Sequence, residues 1–162
     1  MQSPAPFLAH SLTALSRILD KAEAHAAARN IKPEVMPNLR LIADMLPLWR
    51  HVTIACDHAK GACARLAGVE VPSYPDAEMT LAELKERIAK TVAFVCSVPE
   101  SAFDGAEARQ ITIKAGPREL SFAGGQYCYG YALPNFYFHM TTAYAILRAQ
   151  GVEIGKSDFL GG

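Results

Sequence analysis

Four long segments of this sequence carry apolar residues at steps of three and four, the spacing of one face of an α-helix. The pattern predicts helices near residues 4–29, 40–67, 80–98 and 124–150. The third helix begins with a capping box, in which Thr80 and Glu83 satisfy each other's backbone N–H groups. Amphipathic helices of this length bury their apolar faces against one another, so the sequence predicts a four-helix bundle.

Residues 110–122 have a different period, because apolar and polar residues alternate there. Alternation on both sides of Gly116 and Pro117 predicts a short β-hairpin, which must lie on the helices to be stable. The predicted fold is therefore all-α, with a small hairpin between the third and fourth helices. Residues 1–162 are expected to form a single domain, because the chain is too short to hold two of ordinary size.

Two prolines mark positions where a regular helix cannot continue unchanged. Pro47 lies near the start of the second helix, where it indicates either a kink or the true first turn. Pro134 lies in the fourth helix, where its ring would clash with the carbonyl of Gly130. We expect a bend there that frees this carbonyl and opens space beside His139. A proline-containing connection over residues 69–79 is expected to cross one end of the bundle.

The charge balance excludes several classes of partner. Lysine and arginine number 16, and aspartate and glutamate also number 16, so the formal net charge is zero. This balance provides no basic field for nucleic acid or for an anionic membrane surface. No run of 18 uncharged apolar residues is present, so no membrane span is predicted. Balanced charge also leaves self-association unopposed, and we expect a homodimer.

Cysteine usage and the first residues favour a cytoplasmic protein. The four cysteines lie among apolar residues, and no two of them have the CxxC spacing of a metal or redox motif. Buried reduced thiols are typical of cytoplasmic proteins. The N-terminal segment lacks the basic region and apolar core of a secretory signal, which favours the same location.

Polar residues beside the apolar stripes identify candidate site residues. Asp44, His51 and His58 follow one another at steps of seven on the second predicted helix. They form either a site between helices or a polar border at the surface of the bundle. His139 lies in the aromatic fourth helix, with Asn135 one turn earlier on the same face. Its buried ring needs partners for both nitrogens, so it belongs either to the core or to a pocket.

Six short motifs make the chain recognisable along its whole length. They are residues 40–45 (RLIADM), 55–60 (ACDHAK), 65–68 (RLAG), 134–139 (PNFYFH), 141–148 (TTAYAILR) and 151–158 (GVEIGKSD). The set resembles the bacterial domain-of-unknown-function family nineteen-ninety-three, which looks like a branch of the DinB-like superfamily. The resemblance implies an up-down-down-up four-helix bundle that is often dimeric. It also implies relatives that are metal-dependent enzymes, some of them thiol transferases.

The superfamily's typical metal site has three histidines, one on the second helix and an HxxxH pair on the fourth. By this resemblance, His139 matches one member of the pair, and either His51 or His58 matches the histidine of the second helix. The other position of the pair is Asn135 or Ala143, and neither residue is a good zinc ligand.

Gly130 stands where members of the nearer family often carry a histidine. Two histidines from two helices are one ligand short of a catalytic zinc site. We therefore expect no bound metal, with His51 and His139 as the candidate ligands if zinc or nickel is present. The third ligand would then have to be a carboxylate such as Asp44 or Asp57.

Three hypotheses about function follow. In the first, a small molecule or a partner binds in a pocket between helices, beside a degenerate metal site. The pocket candidates are Asp44, His51, Gly130, Asn135 and His139. In the second, the protein is a metal-dependent hydrolase or thiol transferase. In the third, it is a structural homodimer without a ligand. The first hypothesis is preferred, which makes the protein a binding module rather than an enzyme.

Overall fold

The computed structural model describes residues 1–75 and 80–162, and this part of the chain is mostly helical. The elements are α1 (Ala5–Ala28), α2 (Val35–Asn38), α3 (Leu48–Ala67), α4 (Leu81–Ser97), β1 (Gln110–Ala115), β2 (Arg118–Ala123), α5 (Gly124–Tyr127), α6 (Leu133–Ala149) and α7 (Lys156–Leu160). Short 3₁₀ turns occupy Glu100–Phe103 and Ala106–Ala108, and a π-helical turn occupies Cys128–Ala132. The hairpin is confirmed, and so are the helical segments, apart from the start of the second and an interruption in the fourth.

The start of the second long helix differs from the prediction. It begins at Leu48, because Pro47 adopts an extended backbone (ψ 163°) and occupies the N-cap position of α3. Proline suits the first turn of a helix, where its missing N–H has no partner to lose. Of the two interpretations of Pro47, the true first turn is therefore correct. Asp44 lies in the preceding loop and is exposed, so it does not share a helix with His51.

The loop after α3 is fixed against α3 and α4. The Tyr74 ring lies 4.5 Å from the Lys60 ammonium and 5.2 Å from the Arg87 guanidinium carbon, both within the range of a cation–π contact. Both cations also donate hydrogen bonds to backbone carbonyls of this loop. The connection predicted over residues 69–79 is therefore held in place as far as it is described, and residues 76–79 lie outside the described residues.

The hairpin leads directly into the last helical segment. β1 and β2 pair antiparallel with Ile111 opposite Phe122 and Ile113 opposite Leu120. Both isoleucines are buried, so the inner face of the hairpin packs on the helices as the alternation predicted. α5 begins immediately after β2, at Gly124.

The last helical segment is interrupted next to Pro134. The π turn Cys128–Ala132 separates α5 from α6, and Pro134 lies in the first turn of α6. Pro134 has no backbone N–H and cannot make the usual i→i−4 hydrogen bond. The π turn, which has one extra residue per turn, accommodates this missing bond. Asn135 Nδ2 donates to the Tyr131 carbonyl at 2.7 Å, so the side chain satisfies a backbone group at the interruption. The expected bend remains a prediction.

α3 packs extensively against two of the other long helices. It packs against α6 and α4, and α1 packs against α4 and α7. Two faces of α3 are consequently buried, which includes Val52 and Cys56 as well as the polar His51. In the part of the chain that the structure describes, no helix is both long and apolar enough to span a bilayer. The seam between α3 and α6 is where the candidate site residues meet.

Candidate functional site

Three histidine side chains meet at the seam between α3 and α6. His51 and His58 come from α3, two turns apart, and His139 comes from α6. Nδ1 of His51 lies 2.9 Å from Nδ1 of His139, at hydrogen-bond distance. The His58 ring stacks on His139, with centroids 6.1 Å apart and planes 19° apart. We call this group, His51, His58 and His139, the histidine cluster.

Both α3 histidines lie beside His139, so the structure brings together three histidine rings. Residues seven apart on a helix are about 10.5 Å apart along its axis, so His51 and His58 do not meet each other. A ring from the facing helix can nevertheless lie between them, and His139 does so. The spacing within α3 alone did not reveal this arrangement, because it depends on the height at which α6 packs.

Burial keeps the cluster uncharged at neutral pH. His51 and His139 are buried, with 1% and 8% of their surfaces exposed. Burial lowers the pKa of His139 to about 4, assisted by repulsion from His51, His58 and Arg50. Burial also lowers the pKa of His51 and of His58, although the negative charge of Asp57 opposes the shift at His58. Neutral imidazoles have one donor and one acceptor nitrogen each.

The hydrogen bond between His51 and His139 restricts their protonation. One Nδ1 must carry the proton and the other must accept it, because two donors would face each other if both carried one. Nε2 of His51 is buried and has no hydrogen-bond partner of good geometry. The backbone of Leu46 is near enough to raise the pKa of the His51 ring, so this nitrogen is only weakly satisfied within the described residues.

The geometry of the three rings does not fit a three-histidine metal centre. Within residues 1–75 and 80–162, no group of three or more His, Cys, Asp or Glu side chains is placed to hold a metal ion. His51 and His139 direct their Nδ1 atoms at each other. His58 is nearly parallel to His139, so the in-plane lone pairs of the two rings do not converge on one point. A tetrahedral zinc site needs such convergence.

The candidate carboxylates do not complete a metal site either. Asp57 Oδ1 is 2.8 Å from Arg87 Nη2 and 3.1 Å from Lys60 Nζ, so its charge is already paired. Asp44 is exposed in the loop before α3. The structure therefore brings together the two candidate metal ligands, His51 and His139, without bringing a carboxylate to them.

A small cleft lies next to the histidine cluster. It has a volume of about 160 Å³ and shares His58 with the cluster. Its other polar walls are Asp57 and Arg65 from α3, Lys114 from β1, and the tyrosines 127 and 131. We call it the His58 cleft. Tyr131 also packs against the His58 ring, with centroids 5.9 Å apart, so the cleft and the cluster are one continuous feature.

Two predicted pocket residues have other positions. Gly130 is exposed in the π turn, with open space around it. Asn135 is half-buried, and its amide is used on the Tyr131 carbonyl. Sequence reasoning missed Arg65, Lys114, Tyr127 and Tyr131. The available signal was weak: Arg65 lies one turn after Gly61, and the two tyrosines lie one turn apart.

Comparison with known proteins shows that this chain has the fold of a DinB family member. The crystal structure of a DinB family member protein from Shewanella denitrificans at 1.83 Å resolution has a TM-score of 0.91 and 42% sequence identity to this chain. The match covers 98% of this chain and 89% of that chain.

The family itself follows from the sequence. A family model described as "Domain of unknown function (DUF1993)" matches residues 2–160, and the chain belongs to that family. The resemblance seen in the six motifs is thereby confirmed. No curated protein matches the sequence.

Proposed function

We propose that the histidine cluster and the His58 cleft together form a metal-independent site that binds a small molecule. The observation that carries the proposal is the position of His58, whose ring stacks on buried His139 and also lines the open cleft. A concave site with a few convergent polar groups and shifted pKa values is the usual setting of a ligand site. The protein would then act as a binding module, as preferred from the sequence.

A ligand in the cleft can communicate with the buried pair through His58. The His58 ring is half-buried, so it can bond a ligand on its open side. Its neutral state at pH 7 offers one donor and one acceptor nitrogen. His139 then supports the stacked face of that ring, and His51 fixes His139 by the Nδ1 hydrogen bond. In this proposal His58 contacts the ligand, whereas His139 and His51 position it.

A thermal-shift screen tests the proposed binding site. We expect at least one class among small acids, amines, sugars and nucleotides to raise the unfolding midpoint, because a ligand stabilises the state that binds it. The gain should be lost in His58→Gln and kept in His10→Gln, a change at an exposed histidine of α1. A ligand whose effect survives His58→Gln would place binding elsewhere and contradict the proposal.

The second candidate function is a metal-dependent hydrolase or thiol transferase, and one observation favours it. Nε2 of His51 is buried and makes no hydrogen bond of good geometry, although the backbone of Leu46 lies close enough to raise the pKa of the ring, and a metal ion would satisfy this nitrogen. Elemental analysis of protein purified without chelators or nickel resin separates the two candidates. We expect no stoichiometric zinc, nickel or iron. One metal ion per chain, lost in His139→Ala, would establish the second candidate in place of the first.

We further propose that the four long helical segments form the up-down-down-up bundle. The helix contacts support it: α1 packs on α4, α3 packs on α6, and α3 also packs on α4. This pairing of the first long helix with the third and of the second with the fourth supports the proposed arrangement. The four free cysteines, three of them buried, also support the proposed cytoplasmic location.

A homodimer is proposed on the exposed aromatic patch formed by Phe7, Tyr129 and Tyr137. These side chains are 65%, 64% and 38% exposed and border one shallow groove. Aromatic residues are enriched in protein interfaces, and zero net charge does not oppose association. Sedimentation at micromolar concentration should give twice the 17.5 kDa chain mass.

The paired variants Tyr129→Ser and Leu160→Ser test the location of this interface. Leu160 is 59% exposed and lies in α7, and it does not line the groove. Tyr129→Ser should shift the equilibrium towards monomer, and Leu160→Ser should not. A wild-type mass of one chain would contradict the dimer itself.

A further inference from the structure

We propose that the His58 cleft binds a small oxyanion, a carboxylate or a phosphate, held by Arg65 and Lys114. The inference rests on the proposed function for the location of the site and adds the chemical class of its ligand. It follows from three features of the described residues: an uncompensated positive charge, a glycine that makes room for the Arg65 guanidinium, and the size of the cleft.

The cations of the cleft outnumber its available anion. In the described part of the chain, neither Arg65 nor Lys114 lies within ion-pair distance of a carboxylate, whereas Asp57 is held by Arg87 and Lys60. Glu119 lies directly opposite Lys114 in the hairpin, so Arg65 is the positive group of the cleft whose charge no neighbouring acid in the described residues neutralises. Arginine and lysine are the side chains that recognise carboxylate and phosphate groups, arginine through its planar fork of donors.

Gly61 allows the Arg65 guanidinium to lie against α3. A Cβ atom added at Gly61 would overlap Nη1 of Arg65, which lies one turn later on the same helix face. In its position beside Gly61, Nη1 donates to the Tyr127 hydroxyl at 3.0 Å. Glycine inside a helix is unfavourable relative to alanine, so this position lowers helix stability while it permits the arginine to point into the cleft.

Tyr127 fixes the guanidinium and contributes a donor of its own. Its hydroxyl accepts the hydrogen bond from Arg65, so its own O–H can donate at the wall of the cleft. Burial raises the pKa of Tyr127, which keeps this proton on the phenol at neutral pH. An oxyanion would then meet Arg65, Lys114 and the phenol, with His58 as a further donor.

The cleft volume limits the ligand to a small one. A water molecule occupies about 30 Å³ of the liquid, so about 160 Å³ corresponds to roughly five waters. Inorganic phosphate has five non-hydrogen atoms and malonate has seven, and both are of this size. The proposed ligand is thus either a small free oxyanion or the anionic end of a larger molecule that extends into solvent.

Binding of inorganic phosphate and of malonate, each measured by titration calorimetry and by NMR in chloride-matched buffer, tests the proposal. The wild type should bind at least one of them saturably, with NMR shifts at His58 and Lys114. Binding of phosphate alone would identify a phosphate class, and binding of malonate alone a carboxylate class. Failure of both anions to bind saturably at millimolar concentration would overturn the proposal.

Gly61→Ala is the decisive variant because it separates binding from folding. The added methyl displaces the flexible end of Arg65 rather than backbone, so the fold should be retained with an equal or higher unfolding midpoint. Anion binding should weaken at least tenfold, and Lys114→Gln should weaken it as well. Gly130→Ala, with open space around it, and Lys90→Gln, at an exposed site on α4, are the matched controls and should bind normally.

The outcomes distinguish this inference from the proposed function. Unchanged anion affinity in Gly61→Ala and Lys114→Gln would overturn the oxyanion assignment. Suppose that neither anion binds, but an uncharged ligand does and its binding is lost in His58→Gln. The oxyanion class is then wrong, whereas the proposed location of the binding site is supported. If the anions bind and His58→Gln changes neither their affinity nor that of any other ligand, His58 is not part of the binding site. The proposed function, which rests on the histidine cluster, is then wrong.

Discussion

Gly124→Ala is expected to lower the free energy of unfolding by more than about 3 kcal/mol. Gly124 is buried at the start of α5, where a Cβ atom would overlap the backbone carbonyl oxygen of Ala106. It would also come within 3.3 Å of a Leu66 methyl group. The carbonyl belongs to a 3₁₀ turn and cannot rotate away as a side chain can, so the helix or the turn must move.

Urea unfolding followed by circular dichroism measures this loss, with Gly130→Ala as the control. Gly130 lies six residues later in the same helical segment, and a Cβ there meets nothing within 4 Å. Alanine at 130 should therefore be neutral or stabilising by up to about 1 kcal/mol. Equal stability of the two variants would show that the approach of Ala106 to Gly124 is not a fixed feature of the fold.

The special role of Gly124 illustrates what sequence periodicity could not predict. The alternation over 110–122 and the helical spacing after it predicted both elements, because each is a local pattern. Ala106 precedes the hairpin in the sequence and Gly124 follows it. How close the two residues come depends on how the hairpin lies on the helices. Two adjacent glycines at 124 and 125 therefore indicated only a helix start.

At the second long helix, the apolar pattern predicted a longer helix than the structure has. Leu41 and Met45 continue the apolar spacing of α3 towards the N-terminus, but the helix begins at Leu48. Leu41 is 44% exposed, so its place in the pattern does not correspond to a place in the core. The backbone restriction at Pro47 outweighs the periodicity.

The candidate site was only partly predictable for the same physical reason. The sequence placed His51 and His58 on one stripe and His139 on a buried helix, and these placements are correct. The distances between their rings depend on the height and rotation of α6 against α3, which no spacing within one helix specifies. Arg65 was missed because its position depends on Gly61 and on a hydroxyl from the segment after the hairpin.

The stability of the protein should fall as the pH is lowered from about 6.5 to about 4, and His139 should cause a large part of the loss. The pKa of His139 is about 4 in the folded chain, against 6.5 for an unperturbed histidine. In this window the unfolded chain binds a proton that the folded chain does not, so unfolding becomes more favourable as the pH falls. The stabilisation is therefore complete above about pH 6.5 and is lost progressively towards pH 4.

The expected magnitude is on the order of 3 kcal/mol for His139 alone, because each pKa unit corresponds to 1.36 kcal/mol. The lowered pKa values of His51 and His58 act in the same direction. Protonation of both His51 and His139 would also place two N–H donors against each other across the 2.9 Å contact. Acid should therefore open the seam between α3 and α6 before it affects the hairpin.

Urea unfolding at a series of pH values between about 7 and 4, for the wild type and for His139→Gln, measures this contribution. Carboxylates titrate in the same range, so the relevant quantity is the difference between the two pH slopes. His139→Gln should be less stable than the wild type at pH 7 and should have a flatter slope below 6.5, because its side chain binds no proton. Gly130→Ala, which changes no titratable group and has open space around it, should keep the wild-type slope. Parallel slopes for the wild type and His139→Gln would mean that His139 carries its charge in the folded protein, which would contradict the buried neutral pair on which the proposed site depends.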